Sequence, residues 1–532
     1  MRGRTTWPMS TPASHVSGRK GIHMTTRFRA LLLIGSALAL AACDGATNIA
    51  SPGEGTLVGG GTTGGGSTGG TGGGSTGSGP AAGCPTGTAN VGVINNLRNC
   101  QISGTITGAL TLANLPGVVY SLSGRVNVGV DLGADPAAPA AGGAQGILTI
   151  DPGVVVFGSS GADALVVNRG SQIFAEGTAS RPIVFTSRSN MEGTVNASSI
   201  GQWGGIVILG RAPIHTCVGT ATPGTVSCQS AVEGLTGAFY GGASPTDNSG
   251  RLAYVQVRYP GFEVSPGNEL NGITFAGVGS GTFANFLQVH NSSDDGIEWF
   301  GGRVNHKNII VTGADDDSID TDLGYKGLIQ YALVVQRTDG GDRVIEADTA
   351  GGEARTPRSN PRIANFTFIG RRTPDTVLLR GGTDYGLVNG IIQNTSTTGL
   401  CLDIDGAQTA AGADAAADEA GAPIFRSVIF ACSGAARDES DVPLSLITPI
   451  ITGNNNVLPP VTLTLANLFL PGTFETAATG TNPRTALTGT GTFFDETTFV
   501  GAFRNAADTW YTGWTCGVGA GATACETAPV PR

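Results

Sequence analysis

Carboxylates recur in this 532-residue chain at a spacing that could do chemistry. Asp294, Asp295 and Glu298 stand 22 residues ahead of Asp316, Asp317 and Asp320, which are followed by Asp322, Glu346 and Asp348. In Ile297-Glu298-Trp299-Phe300 the alternation of a strand points Ile297 and Trp299 inward, and so turns Glu298 and Phe300 outward. The same outward places fall to Asp320 and Asp322, then to Glu346 and Asp348 after a two-residue insertion. Two units further on they fall to Asp403 and Asp405, beside inward Leu402 and Ile404. Carboxylates stacked about 5 Å apart repel one another, so they must be protonated, neutralised by basic side chains, or bound to a cation. Arg303, Lys307, Lys326 and Arg343 are the local counter-charges. Hard oxygen ligands at this density suit Ca²⁺, and the turn residues Asp294, Asp295, Asp315, Asp316 and Asp317 add to the set. No EF-hand or glycine-aspartate nonapeptide loop is present, so such a site would rest on stacking alone. The competing reading is a solvated acidic face, in which aspartates end turns where they are favoured anyway.

Catalysis is the other chemistry these residues could do. Asp320 and Asp322, two apart on a strand, are expected about 7 Å from each other, in the range of an inverting glycosidase pair. A lyase would need a basic side chain in the same groove, and Arg380 is the candidate. Asp316-Asp317 is similar to the Asp-Asp element of polygalacturonases, but the Gly-His-Gly and Arg-Ile-Lys elements of that family are missing. His215, His290 and His306 do not supply them. No GxSxG, P-loop, HExxH or dinucleotide fingerprint occurs.

The elements that must position these carboxylates follow from the repeat. The 22-residue offset that carries Asp294–Glu298 onto Asp316–Asp320 also carries Leu287-Gln288-Val289 onto Ile309-Ile310-Val311. Further copies read Leu333-Val334-Val335, Phe366-Thr367-Phe368, Gly390-Ile391-Ile392 and Val428-Ile429-Phe430. From Val289 to Ile392 the spacings are 22, 24, 33 and 24 residues. Each unit holds short β-branched runs broken by Gly, Asn or Asp, with no helical period between them. Parallel strands without helices must close by coiling, which predicts an all-β parallel β-helix over residues 147–435. A β-sandwich would lack this constant register. Residues 84–146 are read as an N-terminal cap and first strands. From Ala436 the register is lost; residues 436–532 are apolar, Pro-rich and finally aromatic, and are read as a C-terminal cap over the open end. An aromatic sugar-stacking platform is the alternative for Phe493, Phe494, Phe499, Phe503, Trp510, Tyr511 and Trp514.

Ile173–Thr178, Arg181–Ser187 and Gly201–Ile206 resemble a recurring element of right-handed, pectate-lyase-like β-helices. Asp294–Asn305, Asp315–Gly324 and Asp508–Thr515 are similar to a family of bacterial surface lipoproteins, which includes leptospiral outer-membrane lipoproteins and proteins associated with TonB-dependent receptors. That resemblance, over roughly residues 145–516, implies a cell-surface β-helical lipoprotein and a transporter partner, but brings no settled chemistry.

The N-terminus agrees with export. Met24 opens a basic region, and the apolar run Ala30–Ala42 would span roughly 20 Å as a helix, too short for a bilayer core of about 30 Å. It reads as a signal peptide, residues 1–42, with Met24 the expected start. Leu40-Ala41-Ala42-Cys43 resembles a bacterial lipobox, which implies that Cys43 is lipidated. Residues 43–83 then form a Gly/Ser/Thr tether holding 17 of the chain's 85 glycines, with a reach of about 30 Å as a flexible coil. An outer-membrane, cell-surface location in a Gram-negative bacterium is expected. Loss of residues 1–42 leaves 24 basic against 40 acidic residues, which disfavours nucleic acid as a partner. The remaining cysteines fall into neighbouring pairs, Cys84 with Cys100, Cys217 with Cys228, Cys401 with Cys432 and Cys516 with Cys525. In an exported chain each pair is expected to bridge locally. Two functions stay open: a binding or structural module for a transporter or a polysaccharide ligand, and a polysaccharide lyase or glycoside hydrolase.

Overall fold

The computed structural model describes residues 79–349 and 353–532; the signal peptide, Cys43 and nearly all of the tether lie outside them. The described chain is all-β and forms a right-handed parallel β-helix. One face of the coil stacks Ala164–Val167, Gly205–Leu209, Ile273–Ala276, Ile297–Phe300, Ile319–Asp322, Ile345–Ala347, Asp375–Leu379, Leu400–Ile404 and Gly434–Ala436, each parallel to the next. The other two faces share longer strands, from Gly250–Arg258 and Phe283–His290 to Ile424–Ala431, which bend in the middle. Parallel pairing already begins between Leu97–Ile106 and Val118–Val128.

The bend has a residue-level cause. In seven successive coils one non-glycine residue sits there in the left-handed region: Tyr254, Phe286, Asn308, Tyr331, Asn365, Asn389 and Ser427, with φ between 52° and 65°. Asn accepts this conformation more readily than other L-residues. The aromatic members repay the strain outside the coil, where Tyr254 stacks on Phe286 at 4.3 Å.

Inward positions form one continuous core from Cys100 to Ile451. Phe275, Trp299 and Tyr325 stack along its axis at 6.1 and 5.4 Å. His306 is structural: its Nε2 accepts from Trp299 Nε1 at 2.9 Å, so Nδ1 carries the proton and donates to the Ala284 carbonyl at 2.7 Å.

The 22-residue offset is the observed register, with Leu287 opposite Ile309 and Glu298 opposite Asp320. The next step differs from the sequence expectation by one residue. Val311 faces Val334, not Val335, and Val334 faces Phe368, giving offsets of 23 and 34. In the run Leu333-Val334-Val335 every residue is apolar, so alternation cannot fix which face is inward.

The four disulfides join neighbours as expected, Cys84–Cys100, Cys217–Cys228, Cys401–Cys432 and Cys516–Cys525. The C-terminal region departs from the sequence reading. Only its first part closes the end of the coil, where Val442 and the short helix Leu444–Ile451 add Ile447 and Ile451 to the core. The rest returns along the outside of the helix as a strap. Thr481 binds Asn389, Asp495 binds Gln330, Cys516 binds Gln288, and Arg532 N reaches the Gly153 carbonyl at 3.0 Å. The terminal aromatics pack beneath this strap. Trp514 is buried edge-on against Tyr254 and Phe286, and Phe503 and Tyr511 are buried beside it. They are a second core rather than an open sugar-stacking platform.

Candidate functional site

The acidic residues meet on the outer side of the first face. Glu298, Asp320 and Glu346 occupy one row of consecutive strands, with Phe300 and Asp322 in the row two residues on. Asp348 lies beside Asp322, to which it is hydrogen-bonded. The row is interrupted at Leu378 and resumes at Asp403. At the preceding turn the aspartates bind backbone from coil to coil. Asp295 Oδ1 accepts from Asp317 N at 3.0 Å, and Asp317 Oδ1 accepts from Arg343 N at 2.6 Å. Part of the cluster therefore has the turn-ending role of the competing reading.

The same carboxylates converge. One oxygen each from Asp295, Glu298 and Asp320 lie within 4.8 Å of one another. The same holds for Asp294, Asp295 and Asp316, and for Asp316, Asp317 and Asp342, so the groups share members and run together along the turn.

This face is only partly solvated: Asp316 is exposed, Asp294, Asp320, Asp322, Glu346 and Asp348 are half-buried, and Asp295, Glu298 and Asp317 are buried. The long insertion between Gly205–Leu209 and Gly250–Arg258, clamped by Cys217–Cys228, folds over part of it. Its Ile214, Val232 and Tyr240 pack on Val207, Leu209 and Ala276, and Tyr240 stacks on Phe300 at 5.9 Å. Glu298 is left 4% exposed and Asp295 7%. Burial, reinforced by neighbouring carboxylates, pushes Asp295, Glu298, Asp317, Asp320 and Asp322 well above the usual carboxylate range. Asp294 is pushed up to about 8 by burial, then by Asp316, Glu233 and Glu269. Glu233, Glu269 and Asp342 were not singled out from the sequence. The two glutamates come from segments outside the repeat, where no periodicity marks them.

The expected counter-charges are mostly elsewhere. Lys307 pairs with Asp495 at 2.6 Å, Lys326 with Asp418 at 2.6 Å, and Arg303 donates to the carbonyls of Gly302 and Gly324. Arg343 does border the cluster, through Asp342 and Asp375. Arg380 does meet the row, but it is clamped by Glu346 and by Asp348, the latter at 2.9 Å. Those carboxylates hold its guanidinium in the charged form, so it serves as their counter-ion rather than as a proton acceptor. His215 and His290 are likewise held neutral, pushed down to about 4 and about 3, first by burial.

A buried polar atom beside Glu298 is unsatisfied. Asn271, 1% exposed, donates from Nδ2 to Glu298 and to Thr274 Oγ1, while its Oδ1 is buried without a partner. An amide oxygen and carboxylates are the donor set that a hard divalent cation takes.

A parallel sheet winding around one axis defines the class, that of pectate-lyase-like β-helices. The chain belongs to that family: the family model described as a pectate-lyase like beta helix domain matches residues 138–452. No curated protein and no solved structure matches the chain.

Proposed function

We propose that this protein is a tethered binding module whose carboxylate face takes Ca²⁺. The observation that carries the reading is the meeting of Asp295, Glu298 and Asp320 within 4.8 Å, the first two buried and Asp320 half-buried, with the unsatisfied Asn271 amide beside Glu298. Like charges this close in a partly dry site cannot all ionise unless a cation joins them. The clamping of Arg380 by Glu346 and Asp348 favours binding over a lyase reaction. The module would stand on a lipid at Cys43 and the tether 43–83, on the outer membrane of a Gram-negative bacterium. It would present its acidic face to an outer-membrane transporter or a polysaccharide.

The test is thermal melting of fragment 84–532, first stripped with chelator and then titrated with Ca²⁺. Melting is expected to rise by several degrees and saturate at millimolar Ca²⁺ or below, with the rise lost in Glu298→Gln and Asp320→Asn. No shift at millimolar Ca²⁺ sinks the metal reading. Turnover on a polysaccharide panel, abolished by Asp320→Asn or Asp322→Asn, would replace the binding reading with an enzymatic one.

A further inference from the structure

A second candidate site lies away from the carboxylates, where the strap crosses the coil. A cavity of about 360 Å³ opens between the strap segments 467–469 and 517–519, residues 197–198, and the rim of the coil around His290 and Arg337. Its apolar wall is Leu333, Phe469 and Leu468; the first two are buried, whereas Leu468 is 55% exposed and held at φ 74°. Its polar wall carries Arg337 and Arg371 with His290.

The donors on that wall are incompletely used. The guanidinium nitrogens Arg337 Nη1 and Arg371 Nε are buried without a hydrogen-bond partner, as is the ring nitrogen His290 Nε2, although unpartnered buried polar groups are rare and costly. Of the two guanidiniums only that of Arg371 lacks a carboxylate partner among the described residues. Arg337, its side chain 7% exposed, is offset by Asp339 at 2.8 Å and Asp315 at 3.5 Å. No ion pair or hydrogen bond among the described residues uses the side chain of Arg371. A half-open space with an unpaired guanidinium at one side and hydrocarbon at the other has the chemistry of an amphiphile site.

We propose that this cavity binds a monoanionic amphiphile. Its carboxylate lies on Arg371 and Arg337, and its short hydrocarbon tail lies between Leu333, Phe469 and Leu468. The strap forms one wall, so the site exists only in the strapped protein, and it stands or falls independently of the cation face.

Calorimetric titration of fragment 84–532 with octanoate tests it, with acetate and 1-octanol as the head-group and tail controls. Saturable binding of octanoate is expected, with neither control saturating in the same range. Arg371→Gln is expected to weaken octanoate about tenfold, the size of one charge-assisted hydrogen bond. That variant removes no described contact, so its fold is expected to be intact, checked by an unchanged melting temperature. Leu468→Ser should weaken octanoate without affecting calcium. Absence of saturable octanoate binding overturns the proposal, as does equal binding of 1-octanol or unchanged affinity in Arg371→Gln.

Discussion

Asp294 shows how a single carboxyl sets the pH response of this protein. Burial and the carboxylates Asp316, Glu233 and Glu269 lift it from 3.8 to about 8 in the fold. The folded state therefore holds a proton that the unfolded chain releases at lower pH. Stability from such a group is fully present below about pH 4 and is lost as pH rises through about 8. Asp295, Glu298, Asp320 and Asp322 are shifted in the same direction, so the losses add. In chelator, the melting temperature of fragment 84–532 is expected to fall between pH 5 and pH 8. Asp294→Asn should flatten that fall and raise melting at pH 8 by a few degrees. A melting temperature that climbs over this range would contradict the assigned burial. The row Glu298–Asp320–Glu346 was legible in the sequence because each carboxylate sits between two inward residues of its strand, at steps of 22 and 26 residues. Its burial was not, because the cover comes from an insertion whose Tyr240 and Glu233 belong to no repeat.

At the scale of elements, the strap is held by side-chain amides that act as strand partners. Gln288 Oε1 accepts from Cys516 N at 2.9 Å and its Nε2 donates to the Cys516 carbonyl at 2.8 Å. Gln330 does the same for Asp495, and Asn389 for Thr481. All three amides are fully buried, so each truncation leaves two backbone groups without partner or water. Gln288→Ala is expected to cost about 2–4 kcal/mol by this count, read as a lower denaturation midpoint. It should also speed proteolysis within residues 500–530, whereas Gln288→Glu should rescue only the bond to Cys516 N. A variant with an unchanged midpoint and an intact strap would show that the amide clamp is dispensable. Nothing in the sequence marks these glutamines, since each contact joins residues more than 90 positions apart and the strap has no period of its own. The terminal aromatics were visible as a cluster, but only the Tyr254–Phe286 stack beneath Trp514 shows what they cover.

For the whole molecule the strap changes the physics of a solenoid. Coils that touch only their neighbours make stability a sum of local terms, and such arrays unfold piecemeal when the coupling is weak. Here one segment ties Asn389, Gln330, Gln288, Arg258 and Gly153 in succession, so distant coils cannot open without releasing it. It also covers the outward apolar row of Ile310, Leu333, Ile391 and Ile429, which would otherwise present an adhesive stripe down the rod. Fragment 84–532 is accordingly expected to melt in one cooperative transition. Fragment 84–452 keeps the end-capping helix Leu444–Ile451 but lacks the strap, and should melt over a broader range in more than one step and self-associate. Calorimetry with light scattering distinguishes the two. A single sharp, monomeric transition in the shorter fragment would mean that the coils are coupled through the core alone, by the Phe275–Trp299–Tyr325 stack and its aliphatic neighbours.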